Sequence, residues 1–143
     1  FRRVLFRSVV IPSFELSTGK ARAVLPKEYS FHDIIYNTQR SALTIAALIT
    51  CNTKLLREAM KDKIHQPYRA KLIPGLEEIL EMQTPGLLGV ALSGAGPTVF
   101  AFVEPEQAHH VGYAIVGKYK EHGVDAHALL IDIDTKGRLI DPE

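Results

Sequence analysis

Leu87-Leu88-Gly89-Val90-Ala91-Leu92-Ser93-Gly94-Ala95-Gly96-Pro97-Thr98-Val99-Phe100-Ala101-Phe102 holds two short apolar runs joined by a small, glycine-rich turn. Residues 87–92 and 98–103 are short and apolar enough to read as buried strands. Gly94 and Gly96 bracket Ala95, with Ser93 before and Pro97-Thr98 after. Glycine accepts positive φ and carries no Cβ to hold a ligand away. Backbone N–H groups in such a turn can converge on an anion. Taken alone, the same residues read as an ordinary strand connection, the commoner use of such a turn.

Working outward, Val9-Val10-Ile11 is a β-branched run closed by Pro12, a strand that stops sharply. Ser17-Thr18 is a helix cap for residues 19–24, with Pro26 ending the helix. Thr18 and Arg22 stand four apart and share one face if this turn is helical. Ser30 opens the longest predicted helix, where Phe31, Ile34, Ile35, Thr38, Ala42, Ile45, Ala46 and Ile49 recur at helical spacing. That pattern predicts a buried stripe, with Arg40 opposite it in solvent. Asn52-Thr53 caps a helix over 54–61, and Pro67 and Pro74-Gly75 fix a bent connection before a helix over 76–82. Pro105 and Glu106 start a helix whose Ala108, Val111, Gly112, Ile115 and Tyr119 form one stripe ending at His122-Gly123. Residues 126–133 read as a last strand, and 134–137 as a turn. The order strand, helices, strand, strand, helix, strand predicts an α+β fold: a ferredoxin-like split β-α-β, its antiparallel sheet carrying helices on one face.

The 143 residues are one domain by length, with the 46% hydrophobic and 23% charged content of a globular protein. Seventeen basic against sixteen acidic side chains give +1, no field for nucleic acid or a membrane surface. No apolar run approaches the roughly 20 residues of a membrane helix, so a cytoplasmic location is expected. The single cysteine, Cys51, lies in an apolar stretch and reads as a buried, inert thiol. Phe1-Arg2-Arg3-Val4-Leu5-Phe6-Arg7-Ser8 has neither helical periodicity nor the pattern of a signal peptide. Residues 1–8 are expected to be a truncated or foreign junction, and 9–143 the domain.

The chemistry-bearing residues favour anion binding over a metal or a catalytic triad. His109 and His110 are adjacent on a helix and point about 100° apart, and no His or Cys pair at ligand spacing is backed by further ligands. Ser93 is not in a nucleophile elbow of G-x-S-x-G form. Arg69 on a proline-flanked turn, the Thr18/Arg22 face and the glycine turn together suit a small anionic substrate. Guanidinium groups bind carboxylates and phosphates in a two-pronged way that lysine cannot copy.

Ser93-Gly94-Ala95-Gly96-Pro97-Thr98 resembles the third, C-terminal glycine motif of the GHMP kinases. Three further stretches are similar to the homoserine kinases within that superfamily: residues 11–18 (Ile-Pro-Ser-Phe-Glu-Leu-Ser-Thr), residues 21–26 (Ala-Arg-Ala-Val-Leu-Pro), and His65-Gln66-Pro67-Tyr68-Arg69 with Leu72-Ile73-Pro74-Gly75. The resemblance runs from about Val9 to the C-terminus. It implies transfer of the ATP γ-phosphoryl group to the side-chain hydroxyl of L-homoserine, giving O-phospho-L-homoserine for threonine biosynthesis. It also implies a ferredoxin-like C-terminal domain. Thr18, Arg22, Arg69 and Gly94 match family positions that contact homoserine, the two arginines on its α-carboxylate. Ser93, Ala95 and Gly96 complete the phosphate-side turn. A homodimer accords with the family.

These kinases also carry a phosphate loop, a Mg²⁺-contacting acidic residue and further substrate ligands in an N-terminal domain, and none of those motifs occurs in this sequence. ATP and Mg²⁺ are therefore expected to be held mainly by that domain. By itself the chain is expected to be inactive, with apolar surface exposed where the other domain meets it. Two alternatives remain open from the residues: the C-terminal domain of another GHMP kinase, and a stand-alone ferredoxin-like module that binds an amino acid and regulates something else.

Overall fold

The computed structural model describes residues 6–131. Four strands, β1 (Phe6–Pro12), β2 (Leu87–Leu92), β3 (Val99–Val103) and β4 (Ala126–Ile131), form one antiparallel sheet in the order β2-β3-β1-β4. The helices are α1 (Thr18–Ala23), α2 (Phe31–Ile49), α3 (Leu56–Ala59), α4 (Gln66–Arg69), α5 (Leu76–Glu81) and α6 (Ala108–Glu121). This is the predicted α+β arrangement, with the first strand in the interior of the sheet. The last strand is followed only to Ile131, and the turn expected at 134–137 lies outside the described residues.

Alternation along the strands sorts the core into two layers. Val99, Ala101 and Val103 of β3, with Val10 of β1, are buried against Leu76, Ile79, Val111, Ile115 and Tyr119 of α5 and α6. Small residues let α6 settle close to the sheet. The Ser8 hydroxyl donates to the Ala108 carbonyl at 3.0 Å, and a Cβ on Gly112 would lie 3.1 Å from that of Ala128. Ser8 is fully buried, so the sheet takes in residues from 6 onward, inside the stretch read as a junction.

Phe100 and Phe102 point to the opposite face and meet edge to face at 5.6 Å between centroids. Ala47 of α2, Leu56 of α3 and Met60 pack with Phe102 there. The single helical face expected from the sequence thus describes α5 and α6, while α2 and α3 add a second layer at the β2–β3 edge. Gly89 makes this contact feasible: a Cβ would meet Met60 Sδ at 2.5 Å and the Leu56 carbonyl oxygen at 3.0 Å.

Ser17 and Ser30 cap α1 and α2 as expected, accepting from the N–H groups of Lys20 and Asp33. The long helix otherwise overturns its reading. Its apolar stripe faces outward, with Phe31 76% and Ile49 74% exposed and Ile34, Ile35 and Ile45 also exposed. The inward side is apolar near its end, at Ala47 and Leu48, and makes polar contacts before that. Asn37 donates to Asp62 and accepts from the N–H of Lys63, and the Thr44 hydroxyl donates to the Ala59 carbonyl at 3.1 Å. Arg40, expected in solvent, pairs with Glu58 and stacks over Tyr36 at 3.8 Å. Periodicity reports amphipathy; here hydrogen bonds to Ala59 and to the loop after α3, with Ala47 and Leu48 packing on the Phe102 cluster, go with the side that turns in. Cys51 is likewise exposed rather than buried, at φ +53° just past the helix end. The helix expected over 54–61 is shorter, a 3₁₀ turn (Thr53–Leu55) leading into α3, and Asn52 makes no side-chain cap. The bent connection around Pro67 is helical, because proline fits the first turn of α4.

Candidate functional site

The glycine turn closes on itself through Ser93 N–H to the Thr98 carbonyl at 2.8 Å and Gly96 N–H to the Ser93 carbonyl at 3.2 Å. Gly94 and Gly96 have φ of +62° and +85°, the left-handed region where glycine carries no Cβ penalty. Their surroundings differ. Gly94 faces open space, whereas a Cβ on Gly96 would meet Ile73 Cδ1 at 2.9 Å and Leu92 Cδ2 at 3.1 Å. Among the described residues, the N–H groups of Gly94 and Ala95 make no hydrogen bond, leaving two adjacent donors available to an anion.

Arg69 draws the predicted segments together. Its Nη1 donates to the Gly94 carbonyl at 2.9 Å and its Nε donates to the Ala21 carbonyl at 3.3 Å. One guanidinium therefore bridges α1, α4 and the turn, with two of its five N–H donors committed to main-chain oxygens. Thr18 and Arg22 stand exposed on α1, whose Ala21 is the bridged residue. Arg69 and Gly94 share a cleft of about 420 Å³ with Asp62, His65 and Gln66. On the far side of the turn, Pro97 and Thr98 line a second cleft of about 610 Å³ with Ser17 and Lys20. Thr18 and Arg22 are among the lining residues of neither cleft.

Three residues that hold the site escape the sequence reading. Asp62 accepts the side-chain amide of Asn37 and the N–H groups of Ile64, His65 and Gln66, so it fixes the entry into α4. Burial raises the pKa of this carboxyl, but those four donors together outweigh it and hold the group below the ordinary carboxylate value. Asp62 lies three residues before the His65 N-cap of α4, and nothing in the local sequence singles it out. Gln66, buried, accepts from Leu92 N–H at 2.9 Å and donates to the Met60 carbonyl at 3.2 Å, tying α4 to the end of β2. The Tyr119 hydroxyl donates to the Pro97 carbonyl at 2.9 Å, and no local signal in the sequence pairs those two residues.

Among the described residues no group of three His, Cys, Asp or Glu side chains could hold a metal ion, and no helix is long and apolar enough to cross a membrane.

An antiparallel split β-α-β sheet bearing a glycine turn strapped to a helical arginine defines an α+β domain. Residues 44–121 match the family described as GHMP kinases C terminal, and the chain belongs to that family. It is 56% identical over 97 residues to a homoserine kinase of Solibacter usitatus, covering 68% of this chain and 32% of that protein. Against a homoserine kinase of Desulfitobacterium hafniense the identity is 44% over 132 residues, covering 92% and 44%. The crystal structure of homoserine kinase from Cytophaga hutchinsonii superposes with a TM-score of 0.82 at 27% identity, over 88% of this chain and 41% of that one. The chain thus spans less than half the length of these relatives.

Proposed function

We propose that this chain is the acceptor-binding part of a homoserine kinase, which moves the ATP γ-phosphoryl group to the side-chain hydroxyl of L-homoserine and yields O-phospho-L-homoserine for threonine biosynthesis. The observation that carries the reading is the Arg69 bridge, which ties α1 to α4 and the glycine turn, the last two lining one cleft. In this reading Arg22 and the remaining N–H groups of Arg69 take the substrate carboxylate, and Thr18 and Gly94 complete the contacts. Ser93, Ala95 and Gly96 form the phosphate side, where the unbonded N–H groups of Gly94 and Ala95 suit a phosphoryl oxygen. Phosphoryl transfer depends on positioning and charge stabilisation, which a fixed arginine and a preformed turn supply.

ATP and Mg²⁺ fall mainly to the greater part of the relatives' length that this chain does not span. The 143 residues alone are accordingly inactive, and a cytoplasmic homodimer goes with the complete kinase. The test is calorimetric titration of the chain with L-homoserine, L-serine and galactose, with and without Arg69→Ala. Binding of L-homoserine that R69A abolishes supports the reading. Preference for another hydroxyl compound moves the chain to a different kinase of the family, and ATP turnover by the 143 residues refutes the division of labour.

A further inference from the structure

We infer that Tyr119 is a positioning residue for the glycine turn, acting through its hydroxyl on the Pro97 carbonyl. The ring lies fully buried on the inward stripe of α6, where a phenylalanine would fill the same space. What tyrosine adds is one buried polar atom, and a buried polar atom needs a partner. That partner is the main chain of Pro97, 2.9 Å away. Burial pushes the phenol's pKa well up, so the group stays a neutral donor throughout the pH range of a folded protein.

The turn is consequently held at two carbonyls by two different helices, Gly94 by Arg69 of α4 and Pro97 by Tyr119 of α6. Between the anchors lie Ala95 and Gly96, and the available N–H groups of Gly94 and Ala95 begin at the first anchor. The frame behind Tyr119 is itself fixed. The Tyr119 carbonyl accepts the N–H groups of His122 and Val124, and Glu78 of α5 accepts from Lys118 and pairs with His122. Releasing Pro97 frees the far limb of the turn while leaving this frame intact. A donor pair displaced by a fraction of an ångström loses much of its hold on a transferring group. The link from turn order to phosphoryl transfer rests on the function proposed above; the link from Tyr119 to turn order does not.

The test uses the whole 143-residue chain with Tyr119→Phe, with Val111→Ala as a destabilised control on the same helix, and with 4-aminophenylalanine at 119 to restore a donor. Exchange of the turn's hydrogen-bonded amides, Ser93 and Gly96, is read by NMR, and the unbonded amides of Gly94 and Ala95 follow titration with inorganic phosphate. In Y119F the turn amides are expected to exchange about tenfold faster, the scale of one buried hydrogen bond, and phosphate to bind correspondingly less tightly. V111A is expected to leave both unchanged, and the amino variant to restore both. Unchanged turn exchange in Y119F, the same acceleration in V111A, or a Y119F chain that no longer folds would each overturn the assignment, the last because the hydroxyl would then hold the domain and not the turn. Faster turn exchange in a chain that binds no phosphate would support the positioning role and refute the phosphate reading.

Discussion

The guanidinium of Arg69 and the carbonyl oxygen of Gly94, 25 residues apart in the chain, meet at 2.9 Å. The same side chain reaches Ala21 of α1 at 3.3 Å, so one residue sets the spacing of three segments. Lysine places all its donors on one nitrogen and lacks the separated Nε and Nη1 that reach the two carbonyls. Arg69→Lys is expected to weaken L-homoserine binding by about tenfold or more and to lower stability by about 1–2 kcal/mol. Calorimetry and urea unfolding check the two effects, and unchanged stability would show that the bridge holds nothing.

Gly94 and Gly96 offer a matched comparison. Both lie in the left-handed region, but only Gly96 is seated against Ile73 and Leu92. Gly94→Ala carries the backbone cost alone, about 1 kcal/mol, whereas Gly96→Ala adds an overpacking cost of about 1–3 kcal/mol. Denaturant midpoints should therefore separate the two variants, with G96A the less stable. Equal midpoints would contradict the packing beneath the turn.

Asp62 gives a pH dependence of defined sign. Its native carboxyl titrates below the ordinary value, so the unfolded chain binds more protons in that window and stability rises with pH. The contribution is complete above the unfolded carboxylate value of about 4 and is lost as the pH falls through the lower native one. Asp62→Asn should cost about 1–3 kcal/mol at neutral pH, with the two stability curves converging in acid. Parallel curves would mean that the charge of Asp62 does no work at the start of α4.

The outward stripe of α2 predicts a tolerance that a buried stripe would forbid. Ile45 and Ile49 are 58% and 74% exposed. Glutamate at either position should change stability by no more than about 0.5 kcal/mol. The same changes should reduce binding of a hydrophobic dye, because α2 carries five of the large apolar side chains exposed among the described residues. A loss of several kcal/mol in thermal unfolding would place these side chains inside.

The strands around the glycine turn were legible because a short apolar run bounded by glycine and proline has few other uses. Element order then carried the antiparallel sheet. The orientation of α2 was not legible, since the spacing from Phe31 to Ile49 describes two faces without saying which meets the domain. That choice goes with Asn37 and Thr44 finding partners at Asp62 and Ala59, and with Ala47 and Leu48 finding Phe102, all later in the chain. The site divides in the same way. Gly94 and Gly96 announce themselves by type, whereas Asp62 is one aspartate among others until the chain turns back over it. The Arg69 bridge and the Tyr119 bond exist only once separate helices have docked. Ser8 carries no local signal of its place in the sheet, because its pairing partner Ala101 lies more than ninety residues later.

That pairing has a consequence for how the domain is made. Ser8 lies opposite Ala101 on one side and Leu130 on the other. During synthesis the first strand leaves the ribosome long before either neighbour exists. β3 gains both neighbours as soon as it is made, but β1 stays at an edge until β4 has emerged, so closing the sheet depends on distant contacts, which slow folding. The glycine turn joins β2 to β3, a local hairpin that can form early and wait. Arg69 precedes the turn and is at hand when the hairpin forms, whereas Tyr119 follows it, so of the two anchors the tyrosine closes last.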